Sequence, residues 1–466
     1  MLSTRLTAGI AGLLLLSLTG CSWFGVDLGL DKTLGIAKDD SPAGVPGFVV
    51  GDEPLAVQAG ASILSQGGSA ADAATAMYFA MSATYPVAAG LGGGGLCVAR
   101  DPGSSRMETI VFLARDSANG GAFGIPGNVR GFSVLHQDFG RLPWQRDVSQ
   151  GEGFAATGFP ISPALETRLR AAQLAIRLDA NLAAEFLDES GNVKPVASMV
   201  SNADLAATLT AIRIFGPNAL YRGAIADKLV SYSATQGGAF KLEELAGYPV
   251  NREAPATVTI GNETVYLPPR NVGAGAYTAA LLSHVVDAQG QVIAGDNPAA
   301  AIAAGTKASL DQFGIASLPR DLGATGFAAT DNTGQAVACA VTLNGAFGSG
   351  HTAAGTGVVL ARAPASKDVG LSGAFLSPTI ATTGDTLALS GAGAGGPNGT
   401  AAIAYALLRI ALNQDVTKPG DLHSTGLAPF DTVNVITCQN GICAALADPG
   451  AQGFGTAAQT FGGPAR

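Results

Sequence analysis

Charge is what this sequence has least of. Only 13% of its 466 residues are Asp, Glu, Lys or Arg, and 35 acidic residues outnumber 26 basic ones. The net charge of −9 leaves no basic surface to neutralise phosphates, which excludes nucleic acid as a partner. Five cysteines are too few for a disulfide scaffold. With four histidines they form neither a CxxC pair nor an HExxH helix, so no metal is expected. GxSxG is absent, which leaves a serine nucleophile elbow unsupported. Residues 90–95 do match GxGxxG, with Asp116 downstream, but a helical segment precedes them and a strand follows. A dinucleotide-binding unit needs the reverse order, so no cofactor is expected either. What is present is 47% hydrophobic residues and 64 glycines, the material of a buried core with many tight turns.

The N-terminus carries one positive residue, Arg5, and then an apolar run from Leu6 to Leu18. The run is shorter than the roughly 20 residues that span a bilayer and has the length of a signal-peptide core. It ends in Leu18-Thr19-Gly20-Cys21, which resembles the bacterial lipoprotein signal. That resemblance implies removal of residues 1–20 and a lipid on Cys21. Ser22 in place of Asp implies the outer membrane, facing the periplasm. An ordinary signal with an incidental Cys21 is the alternative. Residues 21–46 then read as a tether.

Export permits disulfides. Cys438 and Cys443 flank Gln439-Asn440-Gly441-Ile442, and Asn-Gly is a strong two-residue hairpin signal. Closing the turn there places Cys438 opposite Cys443 in a non-hydrogen-bonded pair, which suits a cross-strand disulfide. Two free thiols are the alternative. Cys97 and Cys339 sit in apolar runs and are expected to be buried structural thiols.

Helical spacing covers 54–84 and breaks at Pro86; Pro126-Gly127 opens another helix, and 163–187, 202–213 and 400–412 are helical by period. Residues 218–248 read as turn, helix and turn, and 288–324 as a polar connection. LCVAR and TIVFLAR are early strands. The last third is strand-rich: GFAATD, AVACAVTL, GVVLA, TIATT, TLALSG, VNVIT and ICAAL. Helix layered on sheet is the expected architecture.

Residues 58–100, QAGASILSQGGSAADAATAMYFAMSATYPVAAGLGGGGLCVAR, resemble the gamma-glutamyltranspeptidase family in the order helix, QGG, DAA, proline, GGGG loop and strand. The resemblance continues through PGNVRGF (126–132), ALYRGAIADKLV (219–230), ELAGY (244–248) and YLPP (266–269). It extends to DNTGQAVACAVTLNGAFGSG (331–350), LSPTI (376–380) and SGAGAGG (390–396). It implies an α+β fold, the four-layer αββα sandwich of N-terminal nucleophile hydrolases, built from a large part (47–324) and a small part (325–466) as one intertwined fold. It also implies a precursor that cuts itself, frees a threonine and keeps both chains together. The freed α-amino group, with an unperturbed pKa near 8, can take the proton of its own hydroxyl, so neither histidine nor metal is needed.

The family's Thr-Thr-His lies seven residues before an aspartate that corresponds to Asp331. Counting without gaps puts Ala324 at the nucleophile position; one deletion puts Thr325 there, at the start of a strand. Thr325 is the candidate nucleophile, and an uncut chain with Thr325 as an ordinary strand residue is the alternative. By the same resemblance Arg115 grips a substrate carboxylate, or forms a structural ion pair. Thr342 and Asn344 hold the nucleophile and substrate, or merely cap a strand. Gly395 and Gly396 supply oxyanion-hole N–H groups. Two features depart from the family: ARAPASK stands where an acidic segment should follow GVVLA, and Ala374-Phe375 replace paired serines. The implied activity is hydrolysis or transfer of gamma-glutamyl amides such as glutathione. An amidase acting on another acyl group, and an inactive uncut envelope lipoprotein that binds or scaffolds, are the rivals.

Overall fold

Strands such as GFAATD and AVACAVT carry apolar residues on both faces and need cover on both sides. The computed structural model, which describes residues 47–459 apart from 296, 366–370 and 424–426, provides that cover as four layers. The first sheet runs in the order Phe454–Ala457, Gly47–Gly51, Ala324–Asp331, Ala336–Thr342, Gly94–Asp101, Arg106–Phe112, Asn251–Glu253. The second runs Ile442–Ala447, Thr432–Gln439, Thr386–Ala394, Ser377–Thr383, Glu263–Leu267, Ala256–Ile260. Neighbouring strands in both are antiparallel. The architecture is thus the αββα sandwich.

Between the sheets the core is built from small residues. Ala324, Ala340, Ala392 and Ala394 pack with Leu96 and Leu376, and Ala328, Ala338 and Ala445 pack with Phe48, Ile380 and Ile436. The outer face of the first sheet (Val49, Cys97, Phe112, Phe327, Val341) meets the helices Ala70–Thr84 and Asn128–Phe139, where Tyr78 stacks on Phe132 at 4.1 Å. Ser69 and Asp72 form a capping box that starts the first of these helices, and every residue of it is buried. The outer face of the second sheet (Val265, Leu389, Val433, Val435) meets the helices Gly273–Ser283, Pro298–Gln312 and Pro397–Ala411. Strands from either side of residues 324/325 occur in both sheets.

Several local expectations change. The stretch 288–324 holds the helix Pro298–Gln312, with Asn297 as its cap and Pro298 in its first turn. The stretch 163–187 divides into Pro163–Ala171, Gln173–Leu178 and Ala180–Phe186. GVVLA keeps only Val358–Val359 as strand. Cys97 and Cys339 are not free thiols: adjacent strands set them directly opposite, Cα atoms 4.1 Å apart, and they are joined as a disulfide. Their separation of 242 residues concealed the pairing from the sequence. Cys438 and Cys443 are also joined, across a hairpin in which Asn440 and Gly441 have φ of +54° and +80°. Among the described residues no helix is long and apolar enough to cross a membrane. The expected signal (1–20), Cys21 and the tether (21–46) lie outside the described residues.

Candidate active site

Thr325 is the second residue of the strand Ala324–Asp331, held opposite Val341 in the register, and is fully buried. Successive strand residues point to opposite faces. Ala324 therefore turns its methyl into the gap between the sheets, and the Thr325 hydroxyl lies elsewhere: it donates to Asp52 Oδ2 at 2.6 Å. Asp52 follows the strand Gly47–Gly51 and is itself fully buried. Its other oxygen accepts from Asn434 Nδ2 at 2.7 Å, and the same amide group reaches Gly326 O at 2.9 Å. Burial pushes the Asp52 carboxyl above its ordinary range, against the hydrogen bonds of Thr325 and Asn434 and the charge of Arg168.

Arg168 stands on the carbonyl side of the same peptide bond. Its Nη1 donates to Ala324 O at 3.0 Å, Nε donates to Asp321 Oδ2 at 3.0 Å, and Nη2 pairs with Asp321 Oδ1. Only 2% of Arg168 is exposed, and the rings of Tyr85 and Phe430 lie 5.4 and 5.6 Å from its guanidinium carbon. Asp321 Oδ1 also accepts from Gly323 N at 2.8 Å, so the turn before Thr325 is tied to the ion pair. A cavity of about 670 Å³ is lined by Tyr85, Arg168, Asp431 and Thr432; a second, of about 440 Å³, is lined by Asp321, Leu322, Asn344 and Arg362. Arg320 borders both. Thr432, whose buried hydroxyl lies near Asp52 without hydrogen-bonding it, also lines the larger cavity.

The other candidates fall around this cluster unevenly. Thr342 Oγ1 reaches Leu322 O (3.1 Å) and Gly323 O (3.0 Å) and accepts from Asn344 N (2.8 Å). Its contacts therefore hold the backbone before Thr325 rather than the Thr325 side chain. Asn344, at φ +60°, donates from Nδ2 to Arg362 O at 3.0 Å and lines the smaller cavity. Gly395 and Gly396 lead into the helix Pro397–Ala411; Gly395 packs on the Phe430–Asp431 backbone and Gly396 on the Asp431 carboxylate. A Cβ on Gly396 would lie 2.2 Å from Asp431 Oδ1, and Asp431 Oδ2 accepts from Asn398 N at 3.1 Å. Burial pushes Asp431 up to about 7. Arg115 contacts Asn251 Oδ1 (3.3 Å), the Tyr248 ring (5.4 Å) and the Ile125 backbone, and lines neither cavity.

Sequence reasoning missed Asp52, Arg168, Asp321, Asn434 and Asp431. Away from this cluster, His136 Nδ1 lies between Asp147 Oδ2 (2.9 Å) and Asp72 Oδ1 (3.3 Å). These three residues could in principle hold an ion. In the structure they form a hydrogen-bonded ion cluster, in which the carboxylates push His136 up to about 9.

Comparison with known proteins places this arrangement. Residues 56–291 match gamma-glutamyltranspeptidase, a match that stops short of Thr325. Glutathione hydrolase proenzyme of Pseudomonas aeruginosa is 32% identical over 257 residues, 51% of this chain and 45% of its own length. Acylase ACY 1 proenzyme of Pseudomonas sp. strain SE83 is 30% identical over 267 residues, 52% and 48% respectively. The chain thus spans about half the length of the curated relatives it matches. The crystal structure of cephalosporin acylase from Bacillus halodurans shares the fold, with a TM-score of 0.72 at 18% identity over 92% of this chain and 97% of that one. Gamma-glutamyltranspeptidase of Helicobacter pylori superposes with a TM-score of 0.52 at 21% identity, over 59% and 84%. With just over half of the chain matched and the αββα sandwich around it, the chain belongs to the gamma-glutamyltranspeptidase family.

Proposed function

We propose that this protein is a self-processing threonine amidohydrolase that acts on gamma-glutamyl amides or related acyl amides. The observation that carries the reading is the 2.6 Å hydrogen bond from the Thr325 hydroxyl to Asp52, next to a peptide bond whose carbonyl is also engaged. A hydroxyl needs a proton acceptor to become a nucleophile, and one is in place. Cleavage before Thr325 frees an α-amino group that serves as base for the substrate step, and the acyl group passes through the threonine ester to water. Glutathione hydrolases and acylases among the relatives supply the two substrate classes. Loss of the acidic segment at ARAPASK supports acyl groups without an α-ammonium. The two chains are proposed to stay associated.

The test is mass spectrometry and a reducing gel of the purified protein. Wild type should yield a chain that begins at Thr325; Thr325→Ala should remain whole and inactive. Thr325→Ser should cut incompletely, because it lacks the methyl that restricts the rotamer. An uncut wild type refutes the reading. A second reading, an inactive envelope lipoprotein, rests on Ala324: at the ungapped nucleophile position a methyl, not a hydroxyl, faces the gap between the sheets. Lipid attachment at Cys21 and an outer-membrane location are proposed from the N-terminal sequence, and two disulfides suit an exported chain. Cys21→Ser should move the protein from the detergent phase to the aqueous phase; unchanged partition refutes the anchor.

A further inference from the structure

We infer that Asp52 and Arg168 catalyse the self-cleavage: Asp52 takes the proton of the Thr325 hydroxyl, and Arg168 carries the negative charge that develops on the Ala324 oxygen. The inference rests on the reading of the chain as self-processing. Three groups meet at one peptide bond. The hydroxyl lies 2.6 Å from Asp52 Oδ2 on the amine side, and Arg168 Nη1 lies 3.0 Å from Ala324 O on the acyl side. Asn434 fixes the carboxylate through Oδ1, and Asp321 fixes the guanidinium through Nε and Nη2. The arrangement contains a nucleophile, a base, a group that orients the base and a donor to the oxyanion.

Structural roles alone account poorly for either residue. Asp52 is fully buried, and among the described residues no ion pair holds it; a buried carboxylate without a cation in contact is costly. Arg168 already has a bidentate partner in Asp321 and still directs a third nitrogen to a strand carbonyl, a group that ordinarily serves the ladder.

The reaction balances. The Thr325 oxygen attacks the Ala324 carbonyl carbon as its proton passes to Asp52, and the carbonyl electron pair moves to oxygen against Arg168. Collapse breaks the Ala324–Thr325 C–N bond, and Asp52 returns the proton to the departing nitrogen. This leaves an ester and a free amine. Water then opens the ester to the Ala324 carboxylate and the Thr325 hydroxyl.

Burial raises the proton affinity of Asp52. Arg168 and the hydrogen bonds from Thr325 and Asn434 oppose it; Asp448, raised to about 6, faces it with like charge above that pH, and Glu53, which burial raises to about 8, does so only above that value. Only the ionised carboxylate accepts a proton, so the rate of cutting should fall as pH drops through the Asp52 titration.

The experiment follows the full chain, refolded from denaturant under disulfide-forming conditions, by the appearance of the chain 325–466 on reducing gels across a pH series. Asp52→Asn should cut about 100-fold more slowly or worse and lose the acid limb. Arg168→Lys should cut about 100-fold more slowly and keep it. Either variant cutting at the wild-type rate with the wild-type profile overturns its assignment. Circular dichroism against uncut Thr325→Ala controls for folding. If Asp52→Asn does not fold, Asp52→Glu decides: it must cut with a displaced acid limb, and an undisplaced limb overturns the assignment of Asp52. A wild type that never cuts refutes the self-processing reading instead.

Discussion

Cys97 and Cys339 face each other across two central strands and are covalently joined, although they lie on opposite sides of the Ala324–Thr325 bond. Cleavage at that bond would leave the two chains linked through sulfur, in addition to the strands they share in both sheets. On a non-reducing gel the cut protein should therefore migrate as one species, and reduction should release the chain that begins at Thr325. Cys97→Ser/Cys339→Ser should release the same chain without reductant. Two bands from cut wild type on a non-reducing gel would contradict this linkage.

Gly323 should tolerate no side chain. Its φ is +60°, and a Cβ there would lie 1.9 Å from Gly345 O. Positive φ disfavours an L side chain, and the obstacle is backbone rather than a movable side chain. Gly323→Ala is expected to cost at least about 2 kcal/mol, read as a lower denaturation midpoint with an unchanged m-value. A variant as stable as wild type would show that the turn before Thr325 yields easily.

Stability should decline as pH rises through neutrality because of the cluster on His136. Its carboxylate partners raise the imidazole from 6.5 to about 9. That contribution is fully present below 6.5 and is lost as pH rises through about 9. Asp147, raised by burial from 3.8 to about 7, acts in the same direction at lower pH, because the folded state again binds the extra proton. His136 is 17% exposed in its side chain, so the effect is expected to reach about 1–3 kcal/mol. His136→Gln should flatten the pH dependence of the unfolding midpoint above 6.5. A mutant that keeps the slope would place its source elsewhere.

What the sequence disclosed depended on how local the signal was. The hairpin at Asn440-Gly441 and the buried strands of the last third announce themselves within a few residues, through turn chemistry and unbroken apolar runs. The helix Pro298–Gln312 was also locally marked, by Asn297 and Pro298, but its Ala-rich middle has little polar and apolar alternation. The strand Gly47–Gly51 is five residues long, and its neighbours in the sheet are remote in sequence. The site was less legible for the same reason. Asp52 precedes Thr325 by 273 residues, and Arg168 looks like one more surface arginine of a polar helix until Asp321 and Ala324 O are placed beside it. Family resemblance located Thr342, Asn344, Gly395 and Gly396, whereas only the fold showed which backbone groups Thr342 holds.

Substrate turnover and self-cleavage should separate at Gly396. In the self-cleavage step the oxyanion is the Ala324 oxygen, and its donor in the structure is Arg168. For a bound substrate the family resemblance assigns the donors to the Gly395–Gly396 backbone, at the entry to the helix Pro397–Ala411. The φ of 171° at Gly396 is open to any residue, so the need for glycine there is one of space. A methyl group would press on Asp431 Oδ1 at 2.2 Å and on its second oxygen at 2.8 Å. Relief requires the turn or the carboxylate to move, and either motion misdirects the N–H groups. Gly396→Ala should therefore lower amide hydrolysis about 100-fold, the scale of one lost oxyanion donor, while the chain is still cut before Thr325. The comparison needs only a reducing gel and an assay with a chromogenic acyl anilide that the wild type hydrolyses. Loss of both steps together would mean that one oxyanion site serves both reactions. Full hydrolytic activity in Gly396→Ala would remove the glycine pair from the site.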